Sequence, residues 1–401
     1  MIYLILPRGN NFGWGVCGKY LVKEMSAITE VKYIAEKFGV GDIGDELDYY
    51  FLKSQLIGEA EDKEIKDGVI KQVDYPILQA MDNITLLPTG PNLKGTFKAG
   101  YTFFEENILS QEYIQNGRDN YDIVVAGSTW CEEVLRNHGL ENVTTIIQGT
   151  DPQIFNPYHS EKELFRDQFV IFSGGKFELR KGQDIVIKAY KVLQDRHKDV
   201  VLVNSWFNAW ADSMKTMAAS PYIKFDISSG DYITIMNKIL QNNGLDLERV
   251  ITLVPRPNAL MARIYKNSDI GLFPNRCEGG TNLVLMEYMA CGKPVIASYS
   301  SGHKDVINED NSIMIKKMES ICLNDGSGTQ IATWYDPDLD ETIEHLEWAY
   351  RNRDKLRSYG SQAGKDLEGL TWKRCAEKFV EVVEKKGSDL ESRKCLTSYN
   401  I

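Results

Sequence analysis

The stretch from Asp269 to Ser298 constrains this chain more than any other. Ile270–Phe273 is an apolar run of strand length, and Pro274 ends it. Asn275-Arg-Cys-Glu-Gly-Gly-Thr281 is a polar loop with two glycines. Asn282–Cys291 reads as a helix, closed by Gly292 at the position that favours a left-handed residue and by Pro294 just beyond. Val295–Ser298 is the next apolar run. Two buried strands joined through one helix pair in parallel, and parallel sheets take ligands outside the carboxyl ends of their strands. The loop 275–281 stands at that edge. Gly279 and Gly280 let its backbone approach a ligand, and the N–H groups of the helix start suit a phosphate.

Two carboxylates bracket this helix start. Glu287 sits among Leu283, Val284, Leu285, Met286, Met289 and Ala290. Buried without a partner it would cost several kcal/mol, so it is expected to face a cleft, the plainer alternative being a solvated helix face. Glu278 lies in the loop itself.

A second constellation mirrors the first. Phe169–Phe172 is a strand and Ser173–Leu179 a loop. Arg180-Lys-Gly182 then leads into a helix with Ile185, Val186, Ala189, Tyr190 and Leu193 on one face. Lys176 and Lys181 flank the loop. Cations beside a helix N-terminus are electrostatically awkward unless an anion joins them, and a diphosphate would serve. For Arg180 by itself an ordinary surface position is the expectation.

The remaining chain alternates in the same way. Strands are expected at Ile2–Leu6, Ile84–Leu87, Phe97–Phe103, Asp122–Ala126 and Thr144–Ile147. A second series runs through Val200–Asn204, Val250–Val254, Ile270–Phe273 and Val295–Ser298. Gly18–Ser26 has helical spacing. Asp151-Pro-Gln-Ile-Phe-Asn-Pro157 reads as an interdomain linker. Trp372, Cys375, Ala376, Phe379 and Val382 recur at helical spacing in the tail. The pattern is α/β with two Rossmann-like halves.

Charge is unevenly spread. Residues 1–155 hold 13 Lys+Arg against 23 Asp+Glu, and the rest hold 33 against 34. An acidic first half repels nucleic acid and anionic lipid, so neither is expected as a partner there. Seven scattered cysteines, never spaced CxxC, fit neither a disulfide framework nor a structural zinc site. No apolar run nears the roughly 20 residues a bilayer needs, and no basic segment with a long apolar stretch opens the chain. A cytoplasmic location follows as the expectation, with at most peripheral contact to the inner face of the membrane.

These pieces together resemble the retaining glycosyltransferases of the GT-B fold, family 4 (glycosyl transferases group 1). The resemblance is carried by Gly175-Lys176, by Arg180-Lys181-Gly182, and by Glu278-Gly-Gly-Thr-Asn-Leu-Val-Leu-Met-Glu287-Tyr-Met-Ala-Cys-Gly-Lys-Pro-Val-Ile296. Ser128-Thr-Trp130, Gln148-Gly-Thr-Asp151 and Phe155-Asn-Pro157 add to it upstream, and Trp372 downstream. It covers most of residues 120–385.

The resemblance implies two Rossmann-like domains facing a central cleft. The acceptor-side domain would be 1–155, completed by 375–401 through a C-terminal helix that crosses back; the donor-side domain would be 165–374. It implies transfer of a sugar from a nucleotide-diphosphate sugar to a carbohydrate or glycolipid acceptor, with no cofactor and no metal. Lys176 and Lys181 would bind the diphosphate, Glu287 the ribose diol and Glu278 the sugar hydroxyls. Gly279, Gly280, Thr281 and Asn282 would offer backbone N–H groups, and Gly13 and Gly15 would approach the phosphates from the first domain. Lys181, Glu278 and Glu105 would form the catalytic set. Relatives build surface polysaccharides, lipopolysaccharides and glycolipids.

Three departures stand out. Lys176 replaces the commoner arginine, and eight residues rather than the usual seven separate Glu278 from Glu287. The histidine that many relatives carry after a central strand of the first domain is missing. The stretch reads Gly100-Tyr-Thr-Phe-Phe-Glu105, which makes Glu105 the candidate polar group, a helix-start acid being the alternative. His303 follows the strand Val295–Ser298 and is expected either to reach the cleft or to cap a helix. Asp336-Pro-Asp338 has DxD form but is expected to be an N-cap cluster.

Two rival functions remain. Gly13-Trp-Gly-Val-Cys-Gly18 formally matches the GxGxxG of nicotinamide-dependent oxidoreductases, although six residues separate it from Leu6. The other rival is a catalytically inactive module of the same fold that binds a nucleotide sugar.

Overall fold

The structure is a computed structural model and describes residues 1–208, 211–227 and 230–384. The chain divides into two compact units. One is Met1–Gly149 with residues 370–384, and the other is Thr150–Gly369. Residues 385–401 of the segment expected to complete the first domain, Cys395 among them, lie outside the described residues.

The first unit holds a six-stranded sheet of β1 (Ile2–Ile5), β2 (Val31–Ile34), β3 (Ile77–Ala80), β4 (Lys98–Thr102), β5 (Ile123–Ala126) and β6 (Val143–Thr145), in the order β2-β1-β3-β4-β5-β6. Every pair in it is parallel. β1, β3, β4 and β5 are buried throughout, as strands covered by helices on both faces must be.

One expected strand is misplaced. Ile84–Leu87 is a turn followed by irregular chain, and the neighbouring strand is β3. The cause is Asp82, whose Oδ1 accepts from the Ile84 and Thr85 N–H groups and the Thr85 hydroxyl, at 3.1, 2.8 and 2.8 Å. An aspartate that satisfies the backbone so soon after itself fixes a turn against strand propensity.

The helix Gly13–Ser26 begins earlier than the expected Gly18. A helix over 372–384 carries the expected apolar face in this same unit. There Trp372 stacks on Tyr20 with ring centroids 5.3 Å apart, and Phe379 meets Tyr101 edge-on at 4.7 Å.

The second unit holds β7 (Phe169–Gly174), β8 (Val200–Ser205), β9 (Val250–Thr252), β10 (Ile270–Phe273), β11 (Val295–Ser298) and β12 (Ile313–Ile315), in the order β12-β11-β10-β7-β8-β9. All five pairings are parallel. The helix Gln183–Arg196 buries Ile185, Val186, Ala189, Tyr190 and Leu193, the face read from its spacing. An antiparallel hairpin of β13 (Met318–Asn324) and β14 (Gln330–Pro337) was not foreseen.

The winding reverses between β7 and β10: successive strands leave β7 in one direction and β10 in the other. At such a switch point the loops after the two central strands diverge and open a crevice. The two loops singled out in the sequence are the ones that follow β7 and β10.

Candidate active site

The two switch-point loops are locked together by backbone. Gly182 has φ of +70°, and a side chain there would put a Cβ 2.0 Å from the Pro274 carbonyl oxygen. Glycine alone lets the loops approach this closely. The Arg276 N–H donates to the Arg180 carbonyl at 2.8 Å. Gly175, with φ of +118°, turns the chain out of β7.

This contact gathers charged side chains. Glu278 is 4% exposed. Its Oε1 takes Lys181 Nζ at 2.5 Å, and its Oε2 takes Arg180 Nη1 at 3.0 Å. Asn275 Nδ2 also donates to Oε1. Arg180 Nη2 reaches Glu178 at 2.6 Å, and Lys176 Nζ stands 3.6 Å from the same carboxylate. Burial works to raise the Glu278 carboxyl, but Lys181 and Arg180 outweigh it and hold it down at about 2. Burial would raise Glu178 too, and Arg180, with Lys176 and Lys181 behind it, keeps it below the usual carboxylate range.

Arg180 is thus not the surface residue expected, for it lies buried between two carboxylates that need its charge. Lys176, with a side chain about one-third exposed, is the most open cation of this five-residue run of ion pairs.

A third loop supports the cluster from beneath. Ser301, at φ of +42°, accepts the Glu278 N–H on its hydroxyl at 2.8 Å, and the Gly302 N–H donates to the Glu278 carbonyl at 3.0 Å. Asn282, at φ of +60°, starts the helix Leu283–Ala290 without capping it. Its side-chain amide meets His303 Nε2 at 3.2 Å instead, while His303 Nδ1 faces the Ser298 carbonyl at 3.1 Å. The two contacts select the neutral ring protonated at Nδ1. Burial drops His303 to about 4 against the pull of Glu278. His303 neither caps a helix nor lies open: it is a fully buried prop under the Gly279–Asn282 turn. Two non-glycine residues at positive φ in one loop cluster mark stored strain of the sort found at functional sites.

Glu287 is 1% exposed, so it is no solvated helix face. Asn258 Nδ2 donates to its Oε1 at 2.6 Å, and Tyr265 OH donates to its Oε2 at 3.2 Å. Both partners come from the segment after β9. Gly279, Thr281 and Asn282 are buried and Gly280 half-buried.

Behind the cluster lies a charged group that sequence reading missed. Arg276 holds Asp184 with two bonds of 2.8 Å and reaches Asp336 at 2.6 Å. Asp336 also accepts from Tyr222 OH at 2.8 Å, and Asp338 caps the next helix through the Glu341 N–H. The DxD-like string is therefore part ion pair, part N-cap. Among the described residues no group of three or more His, Cys, Asp or Glu could hold a metal ion.

The first-unit candidates are placed differently. Gly13 and Gly15 stand in the first turn of the helix Gly13–Ser26 and not in a loop. A Cβ on Gly15 would meet Gly9 at 2.6 Å and one on Gly18 the Pro7 carbonyl at 1.8 Å, whereas Gly13 faces open space. Glu105 is half-buried in the chain between β4 and the helix Gln111–Asn120. That helix is capped by Ser110, so Glu105 is not a helix-start acid. Among the described residues no helix is long and apolar enough to cross a membrane, and none of the six described cysteines is in a disulfide.

Residues 207–323 match the family described as glycosyl transferases group 1. An uncharacterized glycosyltransferase of Methanocaldococcus jannaschii is 23% identical over 305 residues, covering 73% of this chain and 65% of its own length. The chain spans about half the length of several other curated relatives it matches. Among solved structures, sucrose-phosphate synthase from Thermosynechococcus elongatus superposes with a TM-score of 0.66 at 15% identity, covering 97% of this chain and 99% of that one. Anabaena HepE in complex with UDP and glucose gives 0.63 at 14% identity, with 96% and 99% covered. The chain therefore has the α/β fold of the GT-B proteins, and the segment that includes β10, Glu278 and Glu287 is similar to the glycosyl transferases group 1 family.

Proposed function

We propose that this chain is a glycosyltransferase that moves a sugar from a nucleotide-diphosphate sugar to an acceptor hydroxyl with retention of configuration. The observation that carries the proposal is the meeting of Lys181 and Glu278 at the switch point of the second sheet. Similarity to glycosyltransferases over 207–323, and to a fold that in HepE was solved with UDP and glucose, supports it.

In this reading the diphosphate lies against Lys176, Lys181 and the N–H groups at the start of the helix Leu283–Ala290. These cations and amides offset the charge that builds on the leaving group, so the reading calls for no metal and no cofactor. Glu287 takes the ribose diol and Glu278 the sugar hydroxyls, with Gly279 to Asn282 supplying backbone donors. Gly13 and Gly15 keep their expected role toward phosphate, and Glu105 its expected role as a polar group for the reaction. The anomeric carbon–oxygen bond to the diphosphate breaks and a bond to the acceptor oxygen forms on the same face. The acceptor's proton passes to the leaving phosphate oxygen. The acceptor is a carbohydrate or glycolipid, the setting glycan, polysaccharide or glycolipid synthesis, and the place of action the cytoplasm or the inner membrane face.

The test is release of nucleoside diphosphate from a panel of UDP-, GDP- and ADP-sugars, with and without carbohydrate acceptors. Release from one donor class, stimulated by an acceptor and yielding a product of unchanged anomeric configuration, is expected. Binding of a donor without any release would favour the inactive module, and stabilisation by NAD(H) alone would favour the oxidoreductase.

A further inference from the structure

Arg180 touches both carboxylates of the switch-point cluster. Its Nη1 donates to Glu278 Oε2 at 3.0 Å and to the Cys277 carbonyl at 3.2 Å, and its Nη2 donates to Glu178 Oε1 at 2.6 Å. Three partners on one guanidinium fix the fork in place, an arrangement that lysine cannot reproduce. Lys181 is held differently. It meets Glu278 at a single oxygen, Oε1, at 2.5 Å, on a flexible stem. A diphosphate arriving at the loop would compete with Glu278 for that ammonium.

If Lys181 were the only counter-ion, its transfer to the diphosphate would leave Glu278 as an uncompensated buried charge. We propose that Arg180 is a positioning residue for the transfer site, keeping Glu278 ionised and oriented through Oε2 while the donor's diphosphate draws Lys181 off Oε1. This rests on the transfer reading above.

The groups that face Glu278 agree with the division of labour. Arg180 and Lys181 come from the loop after β7, where Arg180 also binds Glu178 and Glu178 the more open Lys176, and Asn275 comes from the loop after β10. Ser301 and His303 come from the loop after β11. His303 is neutral above about 4 and supplies no replacement charge near neutrality. Without Arg180, burial gains on the remaining cation, and the Glu278 carboxyl moves up from about 2 toward the working range of pH.

The experiment compares the full chain with Arg180→Gln and Arg180→Lys, using the sugar nucleotide that the wild type cleaves. It follows kcat/KM for that donor between pH 5 and 8, with melting curves for each protein. The wild type should be flat toward the acid side. Arg180→Gln should lose about 10- to 100-fold at pH 7 and fall further as pH drops to 5. Arg180→Lys should restore the flat acid limb but only part of the rate.

Wild-type kinetics in Arg180→Gln, or an equal loss at every pH, would overturn the proposal. Should Arg180→Gln fail to fold, Arg180→Lys decides: a reduced rate supports the proposal and a wild-type rate overturns it. A wild type that releases nucleoside diphosphate from no sugar nucleotide overturns the transfer reading itself, and this inference with it.

Discussion

Lys181 Nζ lies 2.5 Å from Glu278 Oε1, although the two residues stand 97 positions apart in the chain. The contact exists because β7 and β10 are neighbours in the sheet and their loops leave on the same edge. It joins the cation assigned to the diphosphate with the carboxylate assigned to the sugar.

Lys181→Ala removes that cation and leaves Glu278 paired to Arg180. Transfer should fall by at least about 100-fold. Because Arg180 remains, stability should drop by only about 1–3 kcal/mol, at the lower end for breaking a buried polar pair. Urea unfolding beside steady-state assays would show both.

His303 makes stability depend on pH. Its folded pKa of about 4 lies below its ordinary 6.5, so the unfolded chain binds the proton first. The contribution is present above pH 6.5 and is lost as pH falls toward 4, by roughly 3 kcal/mol at most. Glu278, held at about 2 against an ordinary 4.5, adds a second loss further into acid. In His303→Asn the slope of unfolding free energy between pH 6.5 and 4 should flatten while the steeper acid fall persists. An unchanged slope would remove His303 from the explanation.

Gly302→Ala tests the prop beneath the glycine turn. The added Cβ would stand 1.8 Å from the Gly280 carbonyl oxygen, so the backbone of 278–282 must shift. Thermal stabilisation by nucleoside diphosphate should be lost or cut several-fold, a displacement of about 1 Å being enough to cost 100-fold in catalysis.

Arg276→Met should be the most destabilising of these changes, by about 3–5 kcal/mol, because it leaves the buried Asp184 and the half-buried Asp336 without their shared cation. Denaturant midpoints measured at pH 7 would check it.

Much of this was legible in the residues and some was not. Long-range parallel pairing could be inferred around Ile270–Ser298 because strand, breaker, loop, helix and C-terminal glycine follow one another without ambiguity. Gly292 does adopt a left-handed φ, of +71°. The loops carrying Lys176, Lys181 and Glu278, and the helix carrying Glu287, were found for the same reason.

Arg180 and Arg276 were not found as buried groups. Their burial depends on Glu178, Glu278, Asp184 and Asp336, which reach them from two loops, a helix start and one strand end, and spacing along the chain does not report such encounters. β2 was missed because an edge strand with Lys32 turned toward Glu61 has no continuous apolar run. The β13–β14 hairpin was missed although Asp325-Gly326 between its strands is a turn signal; the solvated face of β13 masked it.

The most direct test of the donor site is thermal unfolding in the presence of UDP, GDP, ADP and NAD(H), run on the wild type and on Glu287→Ala. A ligand at 100 times its Kd adds about 2.7 kcal/mol to stability. The account predicts stabilisation of the wild type by one nucleoside diphosphate and its loss in Glu287→Ala, where Asn258 and Tyr265 no longer hold a carboxylate between them. Stabilisation by NAD(H) alone, or no response of the wild type to any nucleoside diphosphate or its sugar conjugate, would contradict it.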